Sequence, residues 1–171
     1  MYKINRVKSV SDAKLAESYI FEAIKPGGFA DSNISIPSLK DQLAWLSWAN
    51  LRRPEQPSFV VKENNGIIAG IFGEPVENWF DVGEAEIQEF LILPGYEERV
   101  LVKQLLDEII SFYDKSGAKQ VHFWIPELDF KAKNVDLWRQ MCMEDFGFSY
   151  QGFSRASKWS GKKVMKIEKH F

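Results

Sequence analysis

One amphipathic helix with a strand signal on each side of it limits this chain more than any other feature. Between Glu97 and Ser116, Leu101, Leu105, Ile109 and Phe112 fall on one stripe and Leu106, Ile110 and Tyr113 on the next, with Gly117 as the exit. Ahead of it Glu84 to Leu93 reads as a strand closed by Pro94-Gly95, and behind it Lys119 to Ile125 reads as another. Near the N-terminus, Ile4 to Lys8 alternates as a short opening strand. Ser9 to Asp12 then supplies capping chemistry for a helix carrying Leu15, Tyr19, Ile20, Ala23 and Ile24, which Pro26-Gly27-Gly28 stops. A second helix is expected from Pro37-Ser38, with Leu39, Leu43, Leu46 and Ala49 on its apolar face, Arg52 and Arg53 at its negative end and Pro54 beyond them. Ser58–Glu63 and Ile67–Gly73 flank Asn64-Asn65-Gly66, a turn signal that predicts an antiparallel hairpin. Asn134 to Asp145 reads as a last helix around Trp138, Met141 and Cys142, and Tyr150–Lys158 and Lys163–Glu168 finish a sheet. The order β-α-α-β-β-β-α-β-α-β-β predicts a mixed α/β fold: a mostly antiparallel sheet flanked by helices.

A chain of 171 residues is about one domain, expected to span 1–171, and can bury roughly 70% of its unfolded surface without disulfides or a structural metal. Cys142 has no intramolecular partner, and one cysteine with two histidines is a poor supply of soft ligands, so no metal site is expected. Met1 to Val10 lacks the apolar run of a secretory signal and no stretch reaches ~18 apolar residues, which predicts a cytoplasmic protein with no membrane partner.

A net charge of −2 argues against wholesale binding of nucleic acid, but the charge is unevenly placed. Glu74, Glu77, Asp81, Glu84, Glu86, Glu89, Glu97 and Glu98 fall in a stretch without a Lys or Arg; it is either a solvated rim or an attractor for a cationic amine. From Arg155 onward Lys158, Lys162, Lys163, Lys166 and Lys169 face only Glu168, as a solvated strand or a basic patch for phosphates.

Ile92-Leu93-Pro94 runs through Gly95-Tyr96-Glu97-Glu98-Arg99-Val100-Leu101-Val102 to Leu105-Leu106 without a gap. That frame, the order of elements, Ala85-Glu86-Ile87, and Asn134 with Gly147-Phe148 around the last helix resemble the GCN5-related N-acetyltransferase (GNAT) superfamily over nearly the whole chain. The resemblance implies a GNAT-like acyl-CoA N-acyltransferase fold. It also implies acetyl-CoA as acyl donor, with pantetheine paired to the backbone near Leu91, Ile92 and Leu93 and the pyrophosphate held by backbone N–H groups from Glu98 and Arg99 through Val100, Leu101 and Val102, with Asn134 also at the cofactor. The loop is divergent: Glu98, Val100 and Val102 stand where the family has small residues, and Glu97 where it has Arg or Gln. A carboxylate ~4 Å from a phosphate charge costs about 1 kcal/mol in water and about 4 at an effective dielectric of 20. Read simply as sequence, Glu97 and Glu98 are first-turn acids that stabilise their own helix.

Amine acetylation needs the acceptor nitrogen deprotonated and the leaving thiolate protonated. Glu86 is the candidate base by its match to Ala-Glu-Ile, and Gln88, Glu84 and Asp81 are polar neighbours able to hold a water. The family's tyrosine acid falls at Met143 here, so Tyr150 is the nearest substitute hydroxyl; His122, alternating in its strand, is a packed histidine or a further base. The expected function is transfer of an acetyl group from acetyl-CoA to a small-molecule or peptide amine, with a homodimer left open. The alternatives are a catalytically degenerate GNAT-fold protein that recognises a protein or peptide partner, and, with less behind it, a nucleic-acid accessory protein that uses the basic C-terminal segment.

Overall fold

The structure, a computed structural model, describes residues 2–25, 28–29, 46–76, 83–96, 98–126, 141–156 and 163–171. Asn134, Glu97, Asp81 and most of the two helices expected around 37–53 and 134–145 lie outside them. Where the first is described it does not run on from Leu46 to Ala49 as expected: Ser47 is extended (ψ 150°) and is the N-cap of a separate short helix, α2 (Trp48–Leu51); the described part of the second is a π-helical turn, Met141–Asp145.

β1 (Ile4–Arg6) leads to Ser9, whose hydroxyl accepts the Asp12 N–H at 3.0 Å and so starts α1 (Val10–Ile24). β2 (Ser58–Glu63) and β3 (Gly66–Gly73) pair antiparallel, and the turn between them is made by Asn64 and Asn65 at φ 48° and 67°. Both central residues must be left-handed in a tight turn that matches strand twist, and Asn tolerates that region better than other side chains. β4 (Glu84–Ile92) pairs antiparallel with β3; α3 (Arg99–Lys115) then carries the chain across to β5 (Gln120–Pro126), which runs parallel to β4. β6 (Ser149–Ala156) and β7 (Lys163–His170) close a seven-stranded sheet in the order β1-β2-β3-β4-β5-β7-β6.

Alternation along the strands sorts side chains between two cores. Phe59, Val61, Ile71, Ala85, Ile87, Val121, Phe123 and Ile167 face α3, which buries Leu101, Val102, Leu105, Leu106, Ile109 and Tyr113 against them. Val60, Ile67, Phe72 and Leu91 face the other way, onto Ala16, Tyr19, Ile20 and Ala23 of α1 and Leu51 of α2. Each fully buried Leu or Ile contributes roughly 1.5–3 kcal/mol, so α3 is the main anchor of the sheet. The α1 face covers β1 to β4. Beyond it, on the same side of the sheet, stand the polar side chains of β4, β5 and β7.

Candidate active site

Two irregularities in β4 set the geometry. The β3–β4 register shifts between Phe72 and Gly73: Phe72 faces Glu89 but Gly73 faces Ile87, so Gln88 is an extra residue bulged from the strand. On the other side, the parallel β4–β5 ladder pairs Glu84 with Gln120, Ala85 with Val121, Glu86 with His122 and Ile87 with Phe123, and ends there. Both strands run on, β4 to Ile92 and β5 to Pro126, so they splay into a notch whose apex is Ile87–Phe123.

A buried tyrosine from each face pins β4 on either side of the bulge. Tyr113 of α3 directs its hydroxyl to the carbonyl oxygens of Glu86 (2.8 Å) and Glu74 (2.9 Å). Tyr19 of α1 reaches Leu91 O (3.0 Å) and Ile68 O (3.3 Å). Burial pushes both hydroxyls well above the usual phenol range, with the Glu74 and Glu86 charges adding to it at Tyr113, so both remain donors. Gly73 makes the Tyr113 contact feasible: a Cβ there would lie 2.0 Å from Tyr113 Oη. At the bulge itself the Gln88 amide donates to the Glu74 carboxylate.

Glu86 lies at the apex on the face that α1 leaves open. Its Oε2 is 3.1 Å from His122 Nε2, and His122 Nδ1 is 3.0 Å from Glu84 Oε1. The second contact is close but misaligned, so Nδ1 is buried without a hydrogen-bond partner among the described residues. Lys166 lies 3.4 Å from the same Glu84 oxygen and 3.6 Å from Glu168 Oε2, which also accepts from Gln120 at 3.1 Å. The basic C-terminal run is therefore spent internally where it is described: Lys166 on these acids, and Lys169 on Phe146 O (2.8 Å).

Tyr150 is not brought to this cluster. The row Ile87, Phe123, Ile167, Tyr150 crosses the sheet on the α3 side, whereas Glu86, His122, Glu168 and Ser149 form the adjacent row on the other side. Directly paired residues share a face, so the hydroxyl of Tyr150 and the carboxylate of Glu86 are divided by the sheet as well as by β5 and β7. Cys142 is buried, and burial pushes its thiol up to about 12, which leaves it a packed side chain.

The start of α3 lies two residues later than its periodicity suggests. Glu98 is the extended N-cap (φ −96°, ψ 134°) rather than a first-turn acid, and its carboxylate accepts the Tyr2 hydroxyl at 2.9 Å instead of capping the helix. The first bond into the helix is Val102 N–H to Glu98 O at 3.1 Å. The N–H groups of Arg99, Val100 and Leu101 precede it, and the side chain of the N-cap Glu98 does not cap them. Val102 and Leu101 point their side chains into the core, Val100 is 59% exposed, and Arg99 pairs with Asp145 at 3.0 Å. Of the two valines, Val102 is therefore part of the core and only Val100 is at the surface of the first turn. Gly95, at φ 92°, makes the turn that brings β4 to this entrance. In the strand before it, Leu93 N–H is used by Ile68 O (2.8 Å) and Leu91 O by Tyr19, so alternation turns the backbone of Ile92 toward the notch.

Glu84 is expected beside Glu86 from the sequence, whereas Lys166 and Glu168 join the cluster only through cross-strand register. Among the described residues no group of three or more His, Cys, Asp or Glu side chains could hold a metal ion, and no helix is long and apolar enough to cross a membrane.

The model of the Acetyltransferase (GNAT) family matches residues 20–142. No curated protein matches the sequence. PaiA N-acetyltransferase from Thermoplasma acidophilum, in complex with coenzyme A, shares the fold with a TM-score of 0.65 at 14% identity, over 100% of this chain and 99% of that one. A ribosomal-protein-alanine N-acetyltransferase from Brucella melitensis gives 0.68 at 15%, over 99% of each chain, and the spermidine/spermine N-acetyltransferase SpeG from Vibrio cholerae 0.64 at 14%, over 99% and 95%. At these identities the likeness is one of fold. A notched sheet entering an uncapped helix, a fold shared end to end with these acetyltransferases and a family match across most of the sequence lead to one conclusion: the chain belongs to the Acetyltransferase (GNAT) family.

Proposed function

We propose that this protein transfers an acetyl group from acetyl-CoA to the nitrogen of a cationic amine. The observation that carries this reading is the β4–β5 notch: a parallel ladder that stops at Ile87–Phe123 beside a carboxylate, Glu86, and leads along β4 to an uncapped helix.

The residues present suit the donor. The N–H groups of Arg99, Val100 and Leu101 lack intrahelical acceptors and lie at the positive end of a 17-residue helix, where a pyrophosphate gains both hydrogen bonds and the dipole. Those backbone donors persist whatever the side chains are, and the Glu98 carboxylate is held by Tyr2. Ile92 offers backbone groups to an amide-bearing pantetheine arm as a further strand would. Bound acetyl-CoA would supply the activated acetyl thioester. Glu86 takes the proton from the acceptor ammonium, directly or through a water held with Gln88. In the cluster around it the carboxylates of Glu84, Glu86 and Glu168 face one ammonium, Lys166, among the described residues, which favours an acceptor that arrives positively charged.

One observation favours the degenerate binding protein as a second reading. Among the described residues no tyrosine hydroxyl adjoins Glu86's carboxylate, because Tyr113 is spent on two carbonyls and Tyr150 lies across the sheet. The test is thiol release from acetyl-CoA with spermidine and with a peptide bearing an N-terminal alanine as acceptors, beside a melting curve with coenzyme A. Saturating coenzyme at ~100 times its Kd adds about 2.7 kcal/mol, and acceptor-dependent turnover should accompany that shift. Neither shift nor turnover, with a stable protein or peptide partner in a pull-down, selects the binding protein; a shift without turnover keeps the coenzyme and rejects both acceptors.

A further inference from the structure

Glu86 is a flexible side chain on a strand, and a base works only if its lone pair is aimed. Its aim is not provided by its own strand: the described hydrogen-bond partner of its carboxylate is His122, from β5. The imidazole is 9% exposed and set nearly perpendicular to Trp124 (88°, centroids 6.5 Å apart), so its plane is fixed by packing. Its two nitrogens are not equivalent. Nε2 makes an aligned bond to Glu86 Oε2, whereas Nδ1 faces a Glu84 oxygen off axis, and Lys166 competes for that oxygen from 3.4 Å.

We propose that His122 is a positioning residue: its Nε2–H holds Oε2 of Glu86, so that Oε1 is the oxygen turned to the acceptor nitrogen at the apex of the notch. His122 does not itself touch the reacting atoms. The arrangement explains why a histidine that alternates with Val121 and Phe123 on a mostly apolar strand lies on the polar row: parallel register puts it opposite Glu86, at the apex of the notch. His122 has this role only if the protein transfers acetyl groups as proposed above, and the experiment separates the two.

The chain has two histidines, so in a His170→Asn background the ring signals belong to His122 alone. Long-range nitrogen–proton spectra should show an Nε2-protonated ring with a slowly exchanging proton, retained in Glu84→Gln and lost in Glu86→Ala. Kinetically, with acetyl-CoA and whichever of spermidine or the alanyl peptide turns over, His122→Leu should lower kcat roughly 10- to 100-fold with KM for acetyl-CoA within about twofold. His122→Gln, whose amide nitrogen reaches the Nε2 position, should recover kcat to within about fivefold of wild type. An Nε2 proton that exchanges as slowly in Glu86→Ala as in the parent overturns the proposal, as does a folded His122→Leu enzyme of unchanged kcat, or a His122→Gln enzyme as impaired as the leucine variant. If wild-type protein turns over neither acceptor while the ring proton still depends on Glu86, acetyl transfer fails and the positioning role fails with it, leaving a structural contact. Should the leucine variant not fold, the spectra of Glu86→Ala still decide.

Discussion

The contact between Gly73 and Tyr113 should reveal itself as a coupling rather than as two separate losses. In Gly73→Ala the new Cβ would meet Tyr113 Oη at 2.0 Å, Glu86 O at 2.8 Å and Tyr113 Cζ at 3.1 Å. Two of those atoms belong to a fully buried side chain and one to backbone, so the clash cannot be relieved by a rotamer change, and the cost lies near the top of the ~1–3 kcal/mol typical of overpacking. Tyr113→Phe removes one donor from two carbonyls. Glu86 O keeps the Glu74 N–H at 2.8 Å, so the loss is that of about one net hydrogen bond, ~1–1.5 kcal/mol. In the double variant the hydroxyl that causes the worst overlap is gone. Its cost should be about 3 kcal/mol rather than the sum, a favourable coupling of at least ~1 kcal/mol between residues in direct contact. Urea unfolding followed by the fluorescence of the six tryptophans reads all three variants, and each kcal/mol is worth about 2–4 °C in Tm for a chain of this size. Additivity within about 0.5 kcal/mol would refute the contact as the means by which α3 holds the bulge.

Two further outcomes test the ends of the fold. Glu98→Gln keeps an acceptor for Tyr2 and removes a like charge from the pyrophosphate end of α3, so coenzyme A should bind roughly two- to fivefold tighter at low salt, by titration calorimetry, and the gain should shrink in 1 M salt. Asp12, held below the usual carboxylate range first by its Lys62 hydrogen bond and then by Ser9, ties α1 to β2. Its lowered folded value means the stabilisation is full above about pH 4 and disappears as pH falls through that value. Asp12→Asn should therefore cost about 0.5 kcal/mol at pH 7, discounted for a half-exposed pair, and progressively less as pH falls below about 4. A difference that does not shrink with falling pH would show that something other than the charge is what Asp12 contributes.

Local pattern determined a good deal of this protein. The stripes of α3, the Ser9 cap, the left-handed Asn64-Asn65 turn and the strand that ends at Pro94-Gly95 are written in residues near one another, because helix and turn chemistry act over a few positions. Glu86 is singled out differently, by the resemblance of Ala85-Glu86-Ile87 to the GNAT superfamily and not by any local periodicity. Local pattern was less informative at the start of α3, where Glu98 is an extended N-cap whose carboxylate is held by a tyrosine 96 positions away. What only the tertiary structure decided is which side chains meet. That Glu86 faces His122 and not Tyr150, that Val102 is in the core while Val100 is in water, and that β4 and β5 part after four paired residues all depend on how α3 sets one strand against another. Register across a crossover is fixed by packing summed over the whole sheet, and shifting it by one residue would turn every one of these side chains to the opposite face.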